Sequence, residues 1–169
     1  MDDRIFRNTM GKFSTGVTVI TTKVGEDVHG MTANAFMSVS LDPKLISISV
    51  DNQANMLKKI KESGKFAVNI LAAEQQDISM HFAGQKKRDS EVEFENINNV
   101  PIVRDSLATI VCDIHDSYRV GDHTLFIGKV FEIDLRDGSP LTFYQGKYGN
   151  YREVEKKKLT IYRLVTVDQ

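Results

Sequence analysis

Between positions 29 and 43, small and hydroxyl-bearing residues interleave with apolar ones, in the run His29-Gly30-Met31-Thr32-Ala33-Asn34-Ala35-Phe36-Met37-Ser38-Val39-Ser40-Leu41-Asp42-Pro43. With so little side-chain bulk, such a segment could bring backbone N–H groups against a flat ring or a phosphate. The same pattern also fits a strand with a polar outer face. A second run, Asp51-Asn52-Gln53-Ala54-Asn55-Met56-Leu57-Lys58-Lys59, leads into helix-like spacing. There Asn52 or Asn55 could cap the helix, whose N-terminus favours an anion through its free N–H groups and dipole. Lys58 or Lys59 would add positive charge, although a plain cap on a surface helix explains the residues equally well. Further candidates are His81-Phe82-Ala83-Gly84-Gln85 and Gly121-Asp122-His123-Thr124-Leu125-Phe126-Ile127-Gly128. His123 stands just past a turn at a strand start, where a histidine is more often a satisfied polar group than a catalytic one. Phe143-Tyr144-Gln145-Gly146-Lys147-Tyr148 offers aromatic rings for stacking.

Several common signatures are missing. No Gly-x-Gly-x-x-Gly follows a strand, so a Rossmann nicotinamide site is not indicated. There is no Walker-type phosphate loop and no Gly-x-Ser-x-Gly elbow. The 4 histidines show no metal-ligand spacing, so no metal site is expected. Redox chemistry on a bound cofactor stays open, because there the cofactor carries the difficult step.

The elements that must position these residues are mostly strands. Asp2 and Asp3 are plausible N-caps for a first helix with Ile5, Phe6, Met10 and Phe13 at helical spacing, ended by Gly16. Val17–Thr22 reads as a β-branched strand that returns, after Gly25-Glu26-Asp27, through Val28 to Met31. Leu45–Val50, Phe66–Leu71, Leu107–Val120, His123–Leu135 and Leu141–Tyr144 also read as strands. Gly121-Asp122 makes a tight hairpin turn, and Thr160–Val165 is a candidate last strand. Ala54–Glu62 and Glu74–Phe82 are short helices, and 84–99 reads as a long polar loop. Strands joined by short turns point to an antiparallel β-barrel with a few peripheral helices, not to alternating βαβ units.

The chain of 169 residues fits one domain. Lys and Arg number 22 against 23 Asp and Glu, so nothing resembles the basic field that nucleic-acid binding needs. The runs Lys58-Lys59, Lys86-Lys87-Arg88 and Lys156-Lys157-Lys158 read as solvated surface. The single cysteine, Cys112, lies in an apolar strand and reads as a small buried hydrophobe. No secretory signal and no membrane-length apolar stretch is visible, so a cytoplasmic location is expected. Residues 1–149 are expected to form the domain, and 150–169 a tail, either an extra strand or a mobile arm.

Taken in order, the motifs resemble the flavin reductase-like, FMN-binding split-barrel family, and within it the short-chain reductase components of two-component flavin-dependent monooxygenases. The carrying residues are Phe13–Thr21, Gly30–Pro43, Phe66–Leu71, Phe82–Gly84, Gly121–Gly128 and Tyr144–Tyr148. The resemblance implies a six-stranded antiparallel split β-barrel, a homodimer, and a flavin (FAD or FMN) bound near the dimer interface. It places Thr32, Ala33, Asn34 and Ala35 along the isoalloxazine edge and Ser38, Val39 and Ser40 at the ribityl and phosphate part. Gln53, Ala54 and Asn55, with Lys59, would complete the phosphate end, and Phe82, Ala83 and Gly84 would close the pocket. His123 and Tyr148 would sit on the nicotinamide side, His123 as the positioning group of the reaction. Residues 150–169 match no motif of the family.

The activity so implied is hydride transfer from NADH, or NADPH, to N5 of the flavin, with the two rings stacked at roughly 3–3.5 Å. The reduced flavin would pass to a partner monooxygenase, in many such systems an aromatic hydroxylase. Two other readings fit the same motifs: a flavin-binding electron carrier without NAD(P)H activity, and a β-barrel interaction domain that has lost its cofactor. The absence of an arginine pair near His123 leans towards NADH, since a 2′-phosphate usually wants a cation.

Overall fold

The chain opens with a capped helix. The Asp2 carboxylate accepts from the N–H groups of Arg4 (2.7 Å) and Ile5 (3.1 Å), which starts α1 (Asp3–Met10). The helix stops at Gly11, whose N–H reaches the Arg7 carbonyl at 2.9 Å, and not at Gly16 as the spacing suggested. Phe13 therefore lies outside it, and Gly16 instead belongs to β1 (Thr15–Gly16).

A computed structural model describes residues 1–86 and 92–154. After β1 come β2 (Thr18–Val24), β3 (Asp27–Ala33), β4 (Phe36–Leu41) and β5 (Lys44–Asp51), then α2 (Asn55–Ser63) and β6 (Lys65–Ile70). A 3-10 turn at Ala73–Gln75 leads into α3 (Gln76–Phe82). The chain then forms β7 (Phe94–Ile97), β8 (Val100–Val103), the long β9 (Ala108–Val120) and β10 (His123–Leu135), and finally β11 (Leu141–Tyr144) and β12 (Lys147–Asn150). The candidate strand Thr160–Val165 lies outside the described residues.

The main sheet has seven strands in the order β3-β2-β6-β9-β10-β5-β4, so the expectation of six is corrected. The added strand is β4. The run 29–43 is not one strand: it bends at Asn34-Ala35, and its halves, β3 and β4, become the two edges of the sheet. Those edges do not pair with each other, so among the described residues the sheet is open and not a closed barrel. It is nevertheless strongly curled. Met31 and Ala33 of β3 and Phe36 of β4 pack on the same buried cluster as Ile20, Ile46, Ile48, Phe66, Val68 and Phe126. Period-two alternation puts Ile46, Ile48 and Val50 in that core and turns Ser47 and Ser49 to the other face.

Two small sheets flank this one, β1-β11-β12 and the β7-β8 hairpin. From Phe94 onwards the hairpin takes the place of the end of the long loop expected for 84–99. Its turn, Asn98-Asn99, has φ of 50° and 67°, the left-handed pair that a two-residue turn requires and that asparagine tolerates. A buried polar node fastens it to the core. Asn69 donates to the Val19 carbonyl (2.8 Å) and to Thr21 Oγ1 (3.0 Å), and accepts from the Val103 N–H (2.8 Å). Thr21 in turn donates to the Pro101 carbonyl.

The start of α2 also differs from expectation. Its N-cap is Ala54, with no side-chain bond; neither Asn52 nor Asn55 caps it. Asn52 is engaged elsewhere. It accepts from Thr124 Oγ1 (2.7 Å), and its backbone N–H donates to the Asp122 carbonyl (2.9 Å), tying this loop to the β9–β10 turn. Among the described residues, no helix is long and apolar enough to cross a membrane.

Candidate functional site

The bend between β3 and β4 is where sequence, backbone and open space converge. Its three carbonyls are all engaged: Ala33 O accepts from Thr18 Oγ1 (2.6 Å), Asn34 O from the Phe36 N–H (3.0 Å), and Ala35 O from the Ser49 N–H (3.2 Å). The N–H groups of Asn34 and Ala35 donate to no backbone carbonyl among the described residues. With the carbonyls engaged and these two N–H groups left over among the described residues, the bend offers backbone donors beside the Asn34 and Ala35 side chains.

A cleft of about 810 Å3 lies over this bed. Asn34, Ala35, Ser47 and Ser49 floor it with small polar groups, and Phe13, Leu125 and Phe143 supply apolar walls. Small residues beneath and apolar surface around suit a flat, largely apolar ring carrying hydrogen-bond acceptors. A narrower cleft of about 130 Å3 adjoins it, lined by Thr32, Ala33, Asn34, Ser79, Ala83 and Tyr148 among others. The two share Asn34 and Phe143.

Side chains from three separate elements lock the narrower cleft. Thr32 Oγ1 donates to the Ser79 carbonyl at 2.6 Å, and the Ser79 and Tyr148 hydroxyls are 2.8 Å apart. The Tyr148 ring stands edge-on to Phe143, with centroids 5.2 Å apart. Helix α3 approaches β3 closely only because position 30 is glycine: a Cβ there would lie 2.4 Å from Phe82 Cε1. Phe82 itself is half-buried against the cluster of Val17, Val19, Leu71 and Leu141.

The expected site residues fall into three places. Thr32, Ala33, Asn34, Ala35, Ala83 and Tyr148 line these clefts, with Phe82 behind them and Gly84 just past the end of α3. Ser38, Val39 and Ser40 lie on the edge strand β4, where a bulge between Ser38 and Ser40 interrupts pairing with β5. Gln53, Ala54, Asn55 and Lys59 gather at the start of α2, and His123 stands beside them, opposite Asp51. Neither of these last two groups lines the clefts. His123 does share a strand face with Leu125, two residues along, which is a wall of the larger cleft. Its Nδ1 lies 2.7 Å from Asp122 Oδ1, and the imidazole holds the Asp122 carboxyl below the usual carboxylate range, through that hydrogen bond first and charge second.

The sequence pattern passed over Ser47, Ser49 and Ser79, and took Gln145 only as part of the Tyr144–Tyr148 motif, with no place at the site. The two serines were visible as the polar half of an alternating strand. Ser79, fully buried, had no signal beyond its helix.

Residues 10–152 match the model of the flavin reductase like domain. The chain belongs to that family. Among its relatives, a Rhodococcus NADH-dependent flavin reductase is 43% identical over 145 residues, 84% of this chain and 82% of that protein. The reductase component of 4-hydroxyphenylacetate 3-monooxygenase from Thermus thermophilus is 37% identical over 144 residues, 85% of this chain and 93% of that protein. Among solved structures, the flavin reductase PheA2 in its native state superposes with a TM-score of 0.88 at 53% identity, covering 90% of this chain and all of that one. The Streptomyces globisporus NADH:FAD oxidoreductase SgcE6, solved with NAD and FAD fragments, gives 0.82 at 33% identity, covering 92% of this chain and 94% of that one.

Proposed function

We propose that this flavin reductase family member oxidises NADH and reduces FAD or FMN, and that the reduced flavin leaves for a partner monooxygenase, an aromatic hydroxylase in our reading. The observation that carries this is the bed at Asn34-Ala35, where two N–H groups that donate to no backbone carbonyl among the described residues lie beside a cleft of about 810 Å3. The flavin, when bound, supplies the acceptor of the nicotinamide hydride. The chain's own work is positional. Asn34 and Ala35 offer donors to ring acceptors, and donors fixed in advance stabilise negative charge as it develops. Phe13, Leu125 and Phe143 exclude water from the ring faces. The Thr32–Ser79–Tyr148 chain keeps the bed's geometry, and an open cleft allows product to leave. The uncapped start of α2, with Gln53, Ala54, Asn55 and Lys59, and the exposed edge at Ser38, Val39 and Ser40 are the proposed phosphate end.

His123 is proposed as a positioning group for the nicotinamide, oriented by Asp122. His123→Ala should raise KM for NADH several-fold while flavin affinity changes little. Unaltered steady-state NADH oxidation in that variant would remove the role. The naming of relatives as NADH-dependent supports NADH as the donor.

The functional unit is proposed to be a homodimer. Helix α1 buries none of its residues, leaving Phe6 56% exposed, and Phe13 (74%) and Met37 (60%) continue the apolar surface around the cleft. A second copy laid over this face would bury it and close the cleft near the interface. The curled sheet with its seam between β3 and β4 supports reading the fold as a split barrel. The proposed place of work is the cytoplasm, with residues 150–169 as an arm on the 1–149 domain. The test is NADH oxidation by the purified protein with FAD or FMN, alongside its mass in solution. Negligible turnover in a yellow protein would point to an electron carrier instead.

A further inference from the structure

A second groove, of about 940 Å3, runs between the end of α1 and the β11–β12 hairpin. Its walls are joined: the Gln145 N–H donates to the Gly11 carbonyl at 3.0 Å. The hairpin turn is of fixed shape, with positive φ at both Gln145 (49°) and Gly146 (77°).

The charge of this groove is one-sided. Arg7, Lys12 and Lys147 line it and no aspartate or glutamate does, although the chain as a whole carries 22 basic and 23 acidic residues. None of the three forms an ion pair with a described residue. Cations gathered without counterions in a concave site raise the local concentration of anions. Arginine brings a planar fork of donors and lysine a compact point charge, a pairing suited to phosphoryl oxygens. Tyr144 and Tyr148 also line the groove and offer aromatic faces to a base.

The groove is continuous with the cleft over Asn34-Ala35, since Arg7, Gly11, Gln145 and Gly146 line both. A ligand with a flat ring in that cleft would carry its phosphates past Gly146 and into the cations. We infer that this groove binds the adenosine pyrophosphate portion of NADH, on the side of the cleft away from the flavin's own proposed phosphate end. The identification of that dinucleotide as NADH rests on the flavin reductase reading; the groove's preference for an adenosine pyrophosphate does not.

The test uses the full chain and ADP-ribose, which has the pyrophosphate and adenosine but no redox ring. Calorimetric titration should show binding to the unaltered protein. In the triple variant R7Q/K12Q/K147Q the affinity should fall roughly 10- to 100-fold, from about two- to fivefold for each exposed charge. The variant R7K/K12R/K147R, which keeps the charges, should retain most of the affinity. The neutral variant also raises KM for NADH and keeps the ratio of FAD to FMN affinity; a ratio that falls while KM for NADH holds would overturn the assignment to NADH. ADP-ribose that fails to bind the unaltered protein, or binds it and the neutral variant alike, overturns the inference. A protein that binds ADP-ribose in this charge-dependent way but turns over no NADH would sink the reductase reading and leave the groove standing.

Discussion

Gly30→Ala is the substitution whose effect the geometry fixes most sharply. The new methyl would sit 2.4 Å from Phe82 Cε1, 2.6 Å from Cδ1 and 2.9 Å from Cζ. Carbon atoms pack at roughly 3.5–4.0 Å, so the ring must retreat by about 1 Å or more. Phe82 ends α3, and the same helix carries the Ser79 carbonyl that accepts from Thr32. Overpacking of this kind costs about 1–3 kcal/mol. For a chain of this size that is a fall in Tm of about 2–12 °C. Urea unfolding at one fixed protein concentration measures it, and flavin fluorescence titration should show weaker binding in step. Phe82→Leu in the same chain removes the ring edge that clashes, so G30A/F82L should lose less than the two single variants together, with a coupling of about 1 kcal/mol or more. A stable G30A, or strict additivity with F82L, would refute the close approach of α3 to β3.

Tyr148→Phe removes the hydroxyl 2.8 Å from Ser79 Oγ but keeps the ring against Phe143; the expected cost is about 0.5–1.5 kcal/mol by urea unfolding. Asn69→Ala leaves the Val103 N–H and Val19 carbonyl without their partner in the core, so a loss of about 2–4 kcal/mol is expected in the same assay. Burial pushes the Cys112 thiol up to about 12, against about 8.5 in an unfolded chain. The folded state thus favours the neutral thiol, and this contribution to stability is full below pH ~8.5 and lost as pH rises towards the folded value. A thiol reagent at pH 8 should leave Cys112 untouched until the protein is unfolded; fast labelling of the native protein would contradict its burial.

Much of the fold was legible because its signals are local. The β2–β3 and β9–β10 hairpins follow from β-branched runs separated by Gly25-Glu26 and Gly121-Asp122, where positive φ at the glycines suits the turn. What escaped depends on contacts distant in sequence. Nothing near Asn34 announces that β3 and β4 part to opposite edges of a sheet. The β7–β8 hairpin looked like a loop because Glu93 and Glu95 make it polar, and its Asn98-Asn99 turn lacks the usual glycine. Asn52 matched a cap by type and position, yet Thr124 and the Asp122 carbonyl, some 70 residues away in the chain, take its hydrogen bonds instead. The small-residue bed of the site was visible as composition between Thr32 and Ala35. The serines opposite it showed only as the polar half of an alternating strand, since their role exists only once β5 lies beside β4.

The central claim is that a flavin ring rests on the Asn34-Ala35 bed. Titrating the purified protein with FMN and with FAD, and following quenching of flavin fluorescence, tests it directly. Saturable quenching at micromolar concentrations, weakened by bulk in the bed through Ala35→Leu, is the predicted result. Flavin fluorescence that stays unquenched, or binding that Ala35→Leu leaves intact, would contradict it.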